Sequence, residues 1–248
     1  MAPVNPSSLA PRVGIVAVAL SAALVVVALA VGPFLSPGWV AFEQGRSGSV
    51  ALTGYSETDL RIVTNAILGD LVAGPPDFDV ELNGSAVLTD AERSHMRDVR
   101  GAFASFYAAA AVALATLLAA FWLAGRRGEG WTRRAAWRAV RFGAIGLAVG
   151  TATAGVIALV AFDLAFEVFH RLFFASGTYL FDPATSRLVQ LFPDAFWSET
   201  AMAVGAMILV LAIATAWLAG RRLRAHPGTS VAERTAGERR AAVQGGAR

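Results

Sequence analysis

Apolar residues fall into four blocks along the chain, at residues 13–34, 102–123, 142–162 and 201–219, and none of the four contains a charged side chain. About 20 apolar residues in helical conformation cross the hydrocarbon core of a bilayer. Inside that core, only elements that satisfy their own backbone hydrogen bonds are tolerated. The pattern therefore predicts an all-α membrane protein with four transmembrane helices. The polar stretches divide the rest into an N-terminal segment 1–12, a long connection 35–101, a short one 124–141, a third 163–200 and a tail 220–248.

The connection 35–101 carries enough local signals for a small folded cap. Ser56-Glu57-Thr58-Asp59 has the form of a helix N-terminus, and Leu60, Val63, Ile67 and Leu71 follow at helical spacing. Gly74-Pro75-Pro76 stops that helix. Phe78 to Leu82 alternates apolar and acidic residues, and Asn83-Gly84 then separates it from Ala86-Val87-Leu88, which predicts a short β-hairpin. The expected cap is thus α/β. Thr89-Asp90-Ala91-Glu92 is a stronger capping box, and no glycine or proline intervenes before Gly101. One helix is expected to run from near Asp90 into the second span. The segment after residue 170 is too polar, and too interrupted by Pro183 and Pro193, to cross the membrane. Its aromatic residues suit the headgroup belt, so it is expected to lie along the outer surface or dip slightly, walling a lipid-facing pocket.

Charge sets the orientation. Charged residues make up 16 % of the 248-residue chain, against about a quarter in a soluble domain. No lysine is present, so all 21 basic residues are arginine. Arg126, Arg127, Arg133, Arg134, Arg138 and Arg141 crowd the connection 124–141, while Arg221, Arg222 and Arg224 follow the fourth block and Arg12 precedes the first. Arginines in short loops mark the cytoplasmic side. Both termini are therefore expected in the cytoplasm of a bacterial plasma-membrane protein. Segments 35–101 and 163–200 are expected to be extracytoplasmic, where most of the acids lie. The arginines follow the apolar blocks as topology signals do, so no nucleic-acid partner is expected. With no cysteine, disulfides, thiol nucleophiles and thiolate metal sites are excluded. Ala28-Leu29-Ala30 has the form of a signal-peptide cleavage site, but signal cores are about 7–15 residues, so the first span is expected to be retained. The basic tail from residue 220 is expected to be disordered.

Candidate chemistry rests on histidine. His95 would stand about 10 Å beyond the second apolar block at 1.5 Å per residue. If the third helix continues past its block, His170 reaches a similar height on the same side, whereas His226 falls on the other. Asp98 is three residues from His95, and Asp163, Glu167 and His170 share one helical face. A single surface histidine ordinarily does nothing beyond hydration. Two at matched height, each with a nearby acid, fit acid–base chemistry in which a carboxylate fixes the tautomer. The same residues also fit plain helix ends in the headgroup layer. No H-E-x-x-H or comparable spacing supports zinc, no G-x-S-x-G elbow supports a serine nucleophile, and no cofactor or metal is expected. Arg93, Arg97 and Arg100 form a stripe at phosphate height, which fits either a solvated face or a phosphate clamp. The spans carry no midplane charge and no inverted repeat of the kind transporters show.

Leu88-Thr89 through Val99, with Glu92, His95-Met96 and Asp98-Val99, forms one recognisable block. Phe169-His170, Phe173-Phe174, Leu180-Phe181-Asp182-Pro183, Arg187-Leu188 and Leu191-Phe192-Pro193 form a second. The pattern resembles a bacterial integral membrane family, formerly a domain of unknown function, that includes the lipoprotein intramolecular transacylases. The resemblance runs over roughly residues 10–220, with the two histidine blocks as its specific part. It implies an acyltransferase that moves the sn-2 acyl chain of a diacylglyceryl-cysteine lipoprotein onto the α-amine of the same cysteine, without an acyl-enzyme. The family's catalytic pair carries over to His95 and His170. His95 is assigned as base and His170 as acid or electrostatic partner, with the roles exchangeable. Asp98 or Glu167 would orient them, and Arg97 or Arg171 would bind polar substrate groups. The implied partners are membrane lipids and a diacylglyceryl-modified lipoprotein. The competing reading is a non-enzymatic multi-pass membrane protein of envelope or accessory function.

Overall fold

The computed structural model describes residues 6–126, 132–174 and 178–225. Residues 1–5, Arg127, Gly177, His226 and the tail beyond residue 225 lie outside the described residues, as does the side chain of Arg12. Among the described residues, four helices are long and apolar enough to cross a bilayer: α1 (Pro6–Val31), α5 (Asp90–Gly125), α6 (Arg133–Val160) and α9 (Asp194–Ala225). The other described elements are a 3-10 turn (Gly32–Leu35), α2 (Pro37–Ser47), α3 (Ser49–Thr53), α4 (Glu57–Val72), β1 (Glu81–Leu82), β2 (Ser85–Ala86), α7 (Phe162–Phe173) and α8 (Arg187–Leu191).

Lipid tails are as apolar as the helices, so the bundle cannot be held by hydrophobic burial alone and depends on close backbone approach. The sequence supplies small residues for this purpose. α6 packs along both α1 and α9, and α5 joins mainly through α1. Ala22, Ala139, Ala144, Ala212 and Ala219 are all buried at these contacts. The tightest approach is at Gly143 of α6, where an added Cβ would overlap the backbone of Ala19 in α1.

The cap forms as its local signals dictate. Ser56 caps α4 by accepting from the Asp59 amide at 3.1 Å. Asn83 and Gly84 take left-handed conformations, φ 54° and 76°, which close the two-residue ladder that pairs Glu81 with Ala86. The β content is this minimal ladder, so the cap is mainly helical. α2 and α3 have weak periodicity, and the residue pattern does not predict them. Gly48 and Gly54 stop them, both with φ between 60° and 85°.

Two expectations for the segment after residue 160 are corrected. The third long helix does not run straight on to His170, because it breaks at Ala161 (φ −148°, ψ 47°) and α7 starts as a separate helix. Nor does the segment after residue 180 simply lie along the surface. Leu188 and Leu191 sit in one core with Leu60, Val63, Ile67 and Phe78 of the cap. The two polar connections on this side therefore fold together as a single body.

Gly143→Leu should separate α1 from α6 and destabilise the protein by about 1–3 kcal/mol, the usual scale for overpacking. Gly146→Leu, at an open position one turn away, should leave thermal unfolding in detergent nearly unchanged. Equal effects at the two glycines would remove the close approach as the bundle's constraint.

Candidate active site

His95 and His170 come from different helices, yet their ring centroids lie 6.2 Å apart with planes inclined by 24°. Both are nearly buried, at 8 % and 9 % exposure. Each imidazole is walled by aromatic rings. Phe174 and Phe181 stand 5.0 and 5.7 Å from His95. Phe166 and Tyr179 stand 4.1 and 5.0 Å from His170, and Phe174 touches both histidines. Phe174, Tyr179 and Phe181, from the segment expected to wall a pocket, thus stand against the two imidazoles together with Phe166 of α7.

The two rings differ in how they are held. His170 Nδ1 lies 2.8 Å from the Phe166 carbonyl of its own helix. A carbonyl only accepts, so Nδ1 carries a proton, and neutral His170 keeps its lone pair on Nε2. His95 Nδ1 is buried without a hydrogen-bond partner. Burial lowers the His95 pKa below the ordinary histidine value, and the neighbouring His170 charge lowers it further, against a weaker opposing pull from Asp98. The site therefore holds at least one neutral imidazole at neutral pH.

The proposed supporting residues are placed differently. Asp98 is exposed and makes no hydrogen bond to His95, acting only through its charge. Glu167 and Arg171 pair with each other at 2.5 Å on the exposed side of α7 and leave the orientation of His170 to the backbone. Arg97 is exposed and stands about 200° around the helix from His95, on the opposite face. Its neighbours are committed to the fold. Arg93 pairs with Asp79 at 3.2 Å, and Arg100 donates to the carbonyls of Asp70 and Gly74 at the end of α4. The stripe is not a continuous phosphate clamp. Among the described residues, no three histidine or acidic side chains converge to hold a metal.

Glu92 reads in the sequence as a capping residue, and nothing local signals its second role. Its carboxylate is 1 % exposed. One oxygen accepts from the Thr89 amide and hydroxyl at 2.7 and 2.9 Å. The other accepts from the Ser186 hydroxyl at 2.6 Å and the Leu188 amide at 2.9 Å. Burial raises its pKa, but these bonds together outweigh burial and hold it below the usual carboxylate value. Glu92 lies one helical turn before His95. It thereby ties the helix carrying one histidine to the segment that supplies Phe181. Further ties hold the same segment: Gln44 and Ser49 both donate to the Leu191 carbonyl at 3.0 Å, and Arg187 donates to the Thr53 carbonyl at 2.8 Å. The distant partners, about 95 to 150 residues apart in sequence, give no local signal.

The family model for the lipoprotein intramolecular transacylase, Lit, matches residues 16–197. No curated protein matches the chain by sequence. Among solved structures, the membrane integral lipoprotein intramolecular transacylase Lit from Bacillus cereus superposes with a TM-score of 0.71 at 17 % identity, covering 88 % of this chain and all of that one. Two variants of the same Bacillus cereus protein, with one histidine changed to arginine or to alanine, each give a TM-score of 0.67 at 19 % identity. They cover 88 % of this chain and 93 % or 94 % of their own. At these identities the likeness establishes the fold.

Two measurements follow from the geometry. His95 should titrate below about 6.5, the ordinary histidine value, in NMR of labelled imidazoles. Its midpoint should rise in His170→Asn and fall further in Asp98→Asn. Since folding depresses this pKa, the stability it contributes is complete above about pH 6.5 and is lost as pH falls through the lower folded value. Glu92→Gln sets an NH2 group against a backbone N–H in either amide orientation. It should cost about 2–4 kcal/mol in thermal unfolding, the range for orphaning buried donors to a charged acceptor. A cost near zero would mean that Glu92 does not hold the two segments together.

Proposed function

The chain belongs to the lipoprotein intramolecular transacylase family, and we propose that it moves the sn-2 acyl chain of a diacylglyceryl-cysteine lipoprotein onto the α-amine of the same cysteine. The observation that carries this reading is the buried imidazole pair, 6.2 Å apart. A reaction in which the substrate supplies both nucleophile and acyl donor needs only proton transfer and charge stabilisation from the protein. That suits a chain without cysteine.

The steps balance without a co-reactant. The cysteine α-amine attacks the sn-2 ester carbonyl, a C–N bond forms, and the carbonyl oxygen becomes anionic. As the intermediate collapses, the C–O bond to the glyceryl oxygen breaks and that oxygen takes up the proton released by the amine. His95, kept neutral by burial, accepts the amine proton. His170 faces the reaction through Nε2, because Nδ1 is committed to the Phe166 carbonyl. In its protonated form it donates to the oxyanion or to the departing oxygen. Exchange of these two roles leaves the proton balance unchanged. Asp98 supports His95 by charge, Glu167 and Arg171 form one polar edge of α7, and Arg97 offers a polar contact outside the pair.

The arginines around residues 126–141 and 221–224 support an orientation with both termini in the cytoplasm and the cap and histidines outside. In that orientation the spans correspond to residues 13–34, 102–123, 142–162 and 201–219, and the cap residues 35–101 and 163–200 cover the site. α7 presents Leu164, Val168 and Leu172 as one exposed apolar face, suited to lying in the headgroup boundary. Val156, Ile157, Leu159 and Val160 leave the outer end of α6 open to lipid, giving the acyl chains a path to the imidazoles.

Mass spectrometry of a diacylglyceryl lipoprotein N-terminus tests the proposal. Expression of this chain should convert it to the N-acyl, lyso-glyceryl form. His95→Ala or His170→Ala should lower conversion by at least about 100-fold, within the range for losing a general acid–base group. An unchanged lipoprotein sinks the activity, and full conversion by both variants sinks the site.

A further inference from the structure

The end of the bundle opposite the histidines carries a second feature that the acyl-transfer chemistry does not use. A cavity of about 520 Å³ opens between α6 and α9, with Arg138, Arg141 and Arg224 on its wall beside Phe142 and Ile145. A smaller one of about 230 Å³ adjoins it, lined by Arg133 and Arg222 with Phe121 and Trp137. Arg138, Arg141 and Arg224 are exposed and enter no ion pair among the described residues. None of the described residues at this end, 119–126, 132–146 and 216–225, is acidic. Some neighbouring arginines are already stacked, Arg126 over Trp122 at 3.6 Å and Arg221 over Trp217 at 4.8 Å. Among the described residues, Arg138, Arg141 and Arg224 stack on no aromatic ring.

We propose that this cavity binds the phosphate headgroup of an anionic phospholipid, with Arg138, Arg141 and Arg224 around the phosphate and an acyl chain along Phe142 and Ile145. Three features select this occupant. Arg141 stands at the last polar position before the apolar block of α6, the height of a lipid phosphate. The apolar wall continues from that height into the bilayer, which a soluble anion would not use. The chain's own tail competes poorly, since residues 226–248 carry four arginines against two glutamates. Guanidinium forks suit phosphate oxygens, and basic pockets between helices at a membrane boundary bind anionic headgroups. The proposal is independent of the acyl-transfer reading, because it rests on a site at the far end of the helices.

The test uses the full chain in nanodiscs of equimolar phosphatidylglycerol and phosphatidylcholine, with retained lipid counted by native mass spectrometry. The wild type should keep phosphatidylglycerol in preference to phosphatidylcholine, and inorganic phosphate should not displace it. Each of Arg138→Gln, Arg141→Gln and Arg224→Gln should weaken retention about fivefold, and the triple variant about a hundredfold. All three side chains are exposed, so the single variants should unfold at the wild-type temperature in detergent. Equal retention of the two lipids, or wild-type retention by the triple variant, overturns the proposal. Displacement by millimolar inorganic phosphate identifies a soluble-anion site and overturns it as well.

Discussion

The buried carboxylate of Glu92 is the interaction on which the arrangement of the site depends. An ionised carboxylate removed from water costs several kcal/mol unless its oxygens are fully bonded. Here four donors from two remote stretches of chain meet that requirement. The demand is mutual. Glu92 needs Ser186 and Leu188 to remain ionised, and the turn at residues 186–188 needs Glu92 to satisfy its hydroxyl and amide. The start of α5 and the segment after residue 180 are fixed together because neither can be buried alone. His95, one turn along from Glu92, inherits that rigidity.

Inside the frame, apolar surroundings do the electrostatic work. Burial favours the uncharged form of an imidazole, and a second histidine nearby opposes double protonation. Burial therefore holds His95 toward its neutral form, and among the described residues no carboxylate is hydrogen-bonded to either ring. The anchor for His170 comes from its own helix backbone, which fixes a tautomer more firmly than an exposed side chain could. The ring of aromatic residues also limits water at the imidazoles, and proton transfer between substrate groups benefits from that exclusion.

The helix bundle and the cap solve different problems. The bundle packs through alanine and glycine because nothing but close contact distinguishes a helix from lipid. The cap packs through Leu60, Ile67, Phe78 and Leu191 as a soluble domain does. α7 lies between the two regimes, with His170 turned into the cap and an apolar face left outside it. The break at Ala161 makes this possible, since a straight continuation of α6 would carry His170 outward instead of letting α7 take its own direction.

Much of this protein was legible from its residues. Four uncharged apolar blocks can only be helices in a bilayer, and the capping box at Thr89–Glu92 and the Asn83-Gly84 turn act within a few residues of themselves. The family resemblance selected His95 and His170, but helical rise alone does not give their closeness, because α7 starts anew after the break at Ala161. What the tertiary structure decided was everything that depends on partners far apart in sequence. Glu92 reads as a cap until Ser186 and Leu188 arrive. Asp98, Glu167 and Arg171 have the right spacing, but their side chains point to solvent or to each other. The break at Ala161 has no proline or glycine to announce it. Local periodicity reports only which face of an element is apolar, while burial, hydrogen-bond partners and the distance between two imidazoles are set by which faces finally meet.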